Sequence, residues 1–373
     1  MGAEQRLSCS YIRGGKEPVR SLKIAVTARA RLHALATASP PHILEQGEVA
    51  EAARRVFGER YREFARLAPV FTNAGIARRQ SAMPMTWHQE PRGWPERTAA
   101  YLEGATQLFI AAAASALDKA GLSPADVDTI VTVSSTGIAT PSLEARAMKT
   151  LAFRPDVSRV PIFGLGCAGG VTGLATAARL AQARPGGIVL FVCVELCTLS
   201  VRLDQMTSAN VVATALFGDG AAACVLCTDP GGLGEIEGAS EHTWPDSLNI
   251  MGWSVDAEGF GVIFDRSIPA FATANLKAAM ESMLANMDLN ESDVERFVFH
   301  PGGAKVIEAV ERALDLGQGA LDQERAVLED HGNMSAPTAL FVLDRVLQKE
   351  PKGRLILAAL GPGFTASCVS LLT

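Results

Sequence analysis

The 373-residue chain holds no apolar run long enough to cross a bilayer, which takes about 20 residues, so no stable membrane insertion is expected. Positive charge is not in excess. The 34 Lys and Arg against 40 Asp and Glu give a formal net charge of −6, and a nucleic-acid partner, which needs a basic face, is not expected. Seven cysteines form an odd set without regular spacing, and the N-terminal segment lacks the charged start, apolar stretch and small-residue cleavage site of a secretory signal. A reducing cytoplasm is therefore expected rather than a disulfide framework. Cys224 and Cys227 have metal-site spacing but no second ligand pair, so core packing is expected there and no metal. Aromatic residues are sparse at 6% and charged ones make up 20%, against 48% hydrophobic. That balance describes a large buried interior, built as two domains or two fused halves, in an oligomer.

What the chain does have is glycine gathered around one cysteine. Gly164-Leu165-Gly166-Cys167-Ala168-Gly169-Gly170-Val171-Thr172-Gly173 places Cys167 among five glycines. The β-branched and aromatic run Val160 to Phe163 precedes it, and the helix-forming run Leu174 to Ala181 follows. This reads as strand, tight turn, helix, with glycines that let the backbone bend sharply and let another segment approach closely. Cys167 then lies at a helix N-terminus, where free N–H groups favour the nucleophilic thiolate.

Residues 1–23 read as an N-terminal extension without assignment. Leu35 to Pro41 reads as a strand entering a loop, and a helix is expected from Gln46 to Phe57. Residues 60–79, with Arg62, Arg66, Arg78 and Arg79, read as a solvated helical face, Met83 to Pro95 as a surface loop, and Thr98 to Ala120 as a helix ended by Gly121. Two stretches repeat each other: Leu122 to Val131 and Leu289 to Val298 each end a helix, turn at Asp-Val-acid and begin a strand. The first strand leads to Ser134-Ser135-Thr136-Gly137 and the second to His300-Pro301-Gly302-Gly303. Downstream, the Cys167 helix is matched by one opening at Gly332-Asn333-Met334-Ser335-Ala336. The apolar run Ile188 to Val192 is matched by Leu355 to Ala359, and Phe217 to Val225 by Gly361 to Val369. A duplicated α/β unit follows, with halves at residues 24–235 and 236–373. Cys167, His300 and Asn333, each after a strand or at a helix start, could meet in one crevice at the strand ends.

These motifs, GLGCAGG, FHPGG, HGNMSA, FGDGAA and LGPGF, resemble in content and order those of the type III polyketide synthases, the group that includes chalcone synthases. The likeness runs from about Ala34 to the C-terminus. It implies a thiolase fold, a layered αβαβα sandwich of two similar halves forming a homodimer, with CoA thioesters as substrates and no separate cofactor. It implies Cys167 as nucleophile, with His300 pairing to it, and His300 with Asn333 as donors to the enolate of malonyl-CoA. Phe217 matches a gatekeeping phenylalanine, and a second gatekeeper position falls on Val262. Ser135, Cys197, Ser200 and Trp253 match cavity-lining positions, together with the Gly361-Pro362-Gly363-Phe364 turn. Thr140 matches a residue that reaches into the partner subunit, while Glu195, Ser335 and Ser135 match a polar network that steers aldol cyclisation in some members. Of the basic residues that bind CoA phosphates only Arg66 finds a match, and Pro69 and Asn73 stand where others belong.

Within that family, Val262 and the Arg-rich N-terminal region are similar to bacterial members that take fatty acyl starters and make alkylresorcinols or alkylpyrones. Two other readings stay open on the residues alone: a ketoacyl synthase that stops after one condensation, and a cysteine hydrolase that only cleaves thioesters.

Overall fold

The structure is a computed structural model and describes residues 28–373, so the N-terminal extension at 1–23 lies outside it. The chain opens with strand β1 (Arg31–Ala38), the short β2 (His42–Glu45) and helix α1 (Gln46–Phe57), followed by the single turns α2 (Phe64–Leu67) and α3 (Val70–Asn73). Then come β3 (Arg78–Ser81), α4 (Met85–His88), the long α5 (Trp94–Ala120), β4 (Thr129–Val133), α6 (Leu143–Ala147) and β5 (Ser158–Ile162). The middle of the chain is α7 (Gly169–Ala183), β6 (Val189–Leu196), α8 (Ser208–Leu216), β7 (Asp219–Cys227), β8 (Gly234–Thr243) and the hairpin β9 (Met251–Asp256) and β10 (Gly259–Phe264). It closes with α9 (Ile268–Ala285), β11 (Arg296–Phe299), α10 (Ala304–Ala313), α11 (Asp322–His331), α12 (Ala336–Leu347), β12 (Arg354–Gly361) and β13 (Thr365–Leu372). The expected boundary at residues 235 and 236 falls at the start of β8.

The strands hydrogen-bond in the order β11-β12-β13-β8-β1-β7-β6-β4-β5. β1 and β8 join the two halves through only two residue pairs, Arg31 with Glu235 and Leu32 with Gly234. The repeat seen in the sequence is visible here. β4 and β6 run parallel with β7 antiparallel beside them, and β11 and β12 run parallel with β13 antiparallel beside them.

The central strands are apolar throughout because both faces are covered. Along β6, Val189, Phe191 and Cys193 face a core shared with α7 and α12, while Leu190, Val192 and Val194 face α5. Along β12, Leu355, Leu357 and Ala359 face that same shared core, while Ile356, Ala358 and Leu360 face α9 and α10. Alternation along a strand thus gives one layer to each parity. The outcome is α5, sheet, α7 with α12, sheet, α9 with α10, the αβαβα order that the resemblance implies. Cys224 and Cys227 are both buried on β7, and their odd spacing turns them to opposite faces of the sheet.

α7 and α12 cross at their first turns, and glycine permits it. A Cβ at Gly170 would lie 2.2 Å from the Ala336 carbonyl oxygen, a backbone atom that cannot move aside. We expect Gly170→Val to destabilise the protein by about 1–3 kcal/mol, the usual cost of overpacking. Urea unfolding followed by circular dichroism measures it, and an unchanged midpoint would mean the helices can part freely.

Two sequence expectations change. Residues 60–79 are not one solvated helix but α2, α3 and β3, and Arg79 is buried while Arg78 is exposed. β3 pairs with β2, so neighbouring side chains point to opposite faces. The segment from Met83 to Pro95 carries α4, and α5 begins at Trp94, with Pro95 in its first turn where a missing N–H costs nothing. Among the described residues no helix is long and apolar enough to cross a membrane.

Candidate active site

Cys167 sits in a 3₁₀ turn, Gly166–Ala168, that runs directly into α7. Gly166 adopts φ +49°, and a Cβ there would meet the Pro362 ring at 2.7 Å; a Cβ at Gly361 would come within 2.6 Å of Ala168 Cβ. The β12–β13 turn therefore rests on the cysteine turn, and glycine is required on both sides of the contact. α12 begins alongside, so two helix N-termini face the thiol and favour negative charge there.

His300 follows β11 and is buried, its backbone N–H bonded to the Ala358 carbonyl. Asn333 is stitched to the Phe217 strand end: its N–H donates to the Leu216 carbonyl at 2.8 Å and its own carbonyl accepts from Gly218 N–H at 3.0 Å. Its side-chain oxygen accepts from Ser335 N–H at 2.8 Å, and its amide donates one hydrogen to the Gly302 carbonyl at 3.1 Å. The second amide hydrogen remains available. Ser335 pays for this arrangement with φ +57°, a strained value for a residue with a side chain.

Cys167, His300 and Asn333 line one cavity with Met251, Phe264 and Phe299. A second cavity continues from Cys167 and Asn333 past Cys197, Phe217, Trp253 and Val262 to Ser335 and Pro362. Both are walled mainly by apolar side chains. Burial pushes the Cys167 thiol up to about 11, with the Ser335 hydroxyl acting in the opposite sense. Burial also draws His300 down to about 4, and among the described residues neither of its ring nitrogens has a hydrogen-bond partner. Among the described residues no hydrogen bond joins the cysteine to the histidine, and burial favours the neutral form of each.

The β9–β10 hairpin covers the second cavity and is pinned from below. Trp253 Nε1 donates to the Ser135 carbonyl at 2.8 Å, its ring stands edge-on to Phe217, and Val262 is its cross-strand neighbour. Arg202, itself buried, reaches Asp256 at 2.6 Å, and Arg97 donates to the Glu258 carbonyl. Met251, Phe264 and Phe299, missed in the sequence, enter the site through this hairpin and β11. Only their place beside motif residues in three dimensions marks them.

Several residues carried over by resemblance lie elsewhere. Phe364 is packed among Trp244 and Phe271 in the outer core rather than on a cavity wall. Gly363 holds φ +103° in the adjacent turn. Ser200 donates to the Cys197 carbonyl and borders a separate small pocket with Trp94 and Tyr101. Glu195 is fully buried and accepts from Ser135 N–H, Thr136 N–H and the Thr136 hydroxyl. Burial raises it to about 7, and those bonds limit the rise. The Ser135 hydroxyl does not face Glu195; it accepts from Gly164 and Gly166 N–H, both at 3.2 Å. Thr140 is exposed, and Arg66 is exposed and paired with Glu63. His88 bonds Ser81, His331 bonds Gln80, and His242 stands edge-on to Trp244.

The chain matches the chalcone and stilbene synthase N-terminal domain over residues 86–230 and the corresponding C-terminal domain over 235–371. It is 38% identical over 346 residues to the 1,3,6,8-tetrahydroxynaphthalene synthase of Streptomyces peucetius subsp. caesius, covering 91% of this chain and 92% of that one. Among solved structures it is similar to the 1,3,6,8-tetrahydroxynaphthalene synthase of Streptomyces coelicolor A3(2), a bacterial type III polyketide synthase, with a TM-score of 0.86, 28% identity and coverage of 91% and 98%. It is also similar to CsyB complexed with CoA-SH, with a TM-score of 0.84, 25% identity and coverage of 92% and 99%. A cysteine at a helix start, a histidine and an asparagine around one apolar cavity, and matches along both halves lead to one statement: this chain has the thiolase fold and belongs to the chalcone and stilbene synthase family, the type III polyketide synthases, which are condensing enzymes of the acyltransferase class.

Proposed function

We propose that the enzyme takes an aliphatic acyl-CoA starter, extends it with two or three malonyl units and closes the chain to an alkylpyrone or alkylresorcinol. The observation that carries this reading is the apolar lining around Cys167, with Val262 where a second gatekeeping phenylalanine would narrow the path. An alkyl chain gains by burying its surface there, at about 25 cal/mol per Å².

Each residue then has a step. The Cys167 sulfur attacks the starter thioester while its proton passes to His300, and CoA leaves carrying that proton. Malonyl-CoA next loses carbon dioxide, and the charge left on its thioester oxygen is stabilised by the His300 imidazole N–H and the free Asn333 amide hydrogen. The enolate carbon attacks the Cys167 thioester, the Cys167 thiolate leaves, and the lengthened chain, now on the CoA that brought the malonyl unit, returns to Cys167 with release of that CoA before the next extension. CoA thioesters as substrates are supported by the CoA-bound relative.

Among the two ring closures, lactonisation to a pyrone is favoured. The aldol route would draw on a hydroxyl relay from Glu195 through Ser135 to Ser335, and here Glu195 accepts from the Ser135 and Thr136 N–H groups and the Thr136 hydroxyl while the Ser135 hydroxyl turns to Gly164 and Gly166. A homodimer is part of the same proposal, supported by exposed Thr140 lying near Ile138, itself 53% exposed.

Mass spectrometry of products made from malonyl-CoA and a starter series from acetyl- to stearoyl-CoA, with aromatic CoA esters alongside, tests the proposal. Triketide or tetraketide pyrones bearing an alkyl tail are expected. Turnover confined to aromatic or very short starters would overturn it.

A further inference from the structure

Phe217 has a second face. Behind it, away from Cys167, lies another pocket, open in part to solvent. Its walls come from α1, the α4 region and α8, and it touches none of Cys167, His300 and Asn333. One side is apolar, formed by Leu44, Val49, Ala53 and Phe57.

The other side carries Arg79, which is 1% exposed. Its Nη1 donates to the Thr214 carbonyl at 2.8 Å and lies 3.4 Å from the Phe217 carbonyl. Its Nε and Nη2, by contrast, have no hydrogen-bond partner among the described residues. Those two atoms form one edge of the guanidinium, with parallel N–H groups at the spacing of two carboxylate oxygens. Asp219 lies near enough to oppose the cost of burying the cation, yet its carboxylate is taken up by Ala82 N–H, Thr198 N–H and the Thr198 hydroxyl. Burial draws Arg79 down and Asp219 acts in the opposite sense, while the cost of burying a guanidinium edge without a partner remains. A Cβ built at Gly218 or Gly332 would lie 3.2 or 3.4 Å from the Arg79 Cβ, so the base of the side chain packs against glycine.

We propose that this pocket binds an aliphatic carboxylate, with its chain along the α1 wall and its two oxygens on the Nε and Nη2 edge of Arg79. The site is separate from the catalytic cavity and does not depend on which starter the enzyme uses. A thioester cannot fill it as well, because it offers one carbonyl oxygen and no charge to the fork. A bound chain would rest on the rear of Phe217, so the gate position would sense it.

Isothermal titration of the full-length enzyme with sodium octanoate tests the site. One octanoate per chain is expected, with octan-1-ol binding at least tenfold more weakly. The heat should persist after Cys167 is alkylated with iodoacetamide and disappear in Arg79→Met. Should Arg79→Met not fold, Val56→Trp decides: Val56 is a half-buried residue at the pocket rim on α1, and the indole would fill the chain site. Loss of octanoate binding in Val56→Trp, with starter loading on Cys167 unchanged, supports the proposal. It is overturned if carboxylates from hexanoate to dodecanoate give no heat, if octanol binds as well as octanoate, if Val56→Trp binds normally, or if alkylation of Cys167 abolishes binding.

Discussion

Cys167→Ala is expected to stop polyketide formation altogether while leaving slow release of carbon dioxide from malonyl-CoA. The two activities divide because the site divides. In the proposed mechanism the sulfur carries the growing chain, whereas His300 and Asn333, which line the same cavity, donate to the enolate oxygen. Removing the nucleophile removes the acceptor for the enolate, so each decarboxylated unit would be protonated and leave as acetyl-CoA. The substitution is small, and the turn that holds residue 167 is fixed by Gly166, Pro362 and Gly361 rather than by the thiol. The fold should therefore be intact. Product chromatography and a coupled assay for carbon dioxide read both activities. Polyketide made by Cys167→Ala would place the nucleophile elsewhere.

Asn333→Ala should give the reverse pattern. Loading of Cys167 persists, while decarboxylation falls by roughly 10²–10³-fold, the effect of about 2.7–4 kcal/mol that one oxyanion donor supplies in a water-poor site. Part of the loss is positional, because Asn333 also bonds Gly302, two residues beyond His300, and Ser335 beside Cys167. Intact-protein mass after incubation with acyl-CoA reports loading, and carbon dioxide release reports the enolate step. Equal loss of both would mean that Asn333 only holds the fold. The two variants together separate the halves of the reaction more firmly than either alone.

How much of this could be read in the chain follows from what each feature depends on. The strand, turn and helix around Cys167 are legible because glycine and helix propensity act locally; the strand lies within two residues of expectation, and the helix begins at Gly169, five residues before the run that marked it. The duplication is legible because both copies keep the same helix-turn-strand pattern, and β4 with β11, α7 with α12, and β6 with β12 take equivalent places. What could not be read is set by long-range contact. Arg79 looks like its exposed neighbour Arg78 in sequence, and only the pairing of β3 with β2 decides which one points inward. Phe364 follows a site motif yet turns to Trp244 and Phe271, since the rings that receive it come from the residue just after β8 and from α9, more than 90 residues upstream in numbering. The Ser135 hydroxyl bonds the Gly164 and Gly166 amides instead of Glu195 because the cysteine turn presents free N–H groups there.

The most direct measurement is to quench the enzyme during turnover with malonyl-CoA and a fatty acyl-CoA, digest it, and weigh the peptide that contains Cys167. That peptide should carry the starter acyl group and the same group lengthened by successive ketene units, and no other peptide should. Polyketide released with Cys167 unmodified, or acyl groups found on another cysteine and absent from this one, would contradict the account.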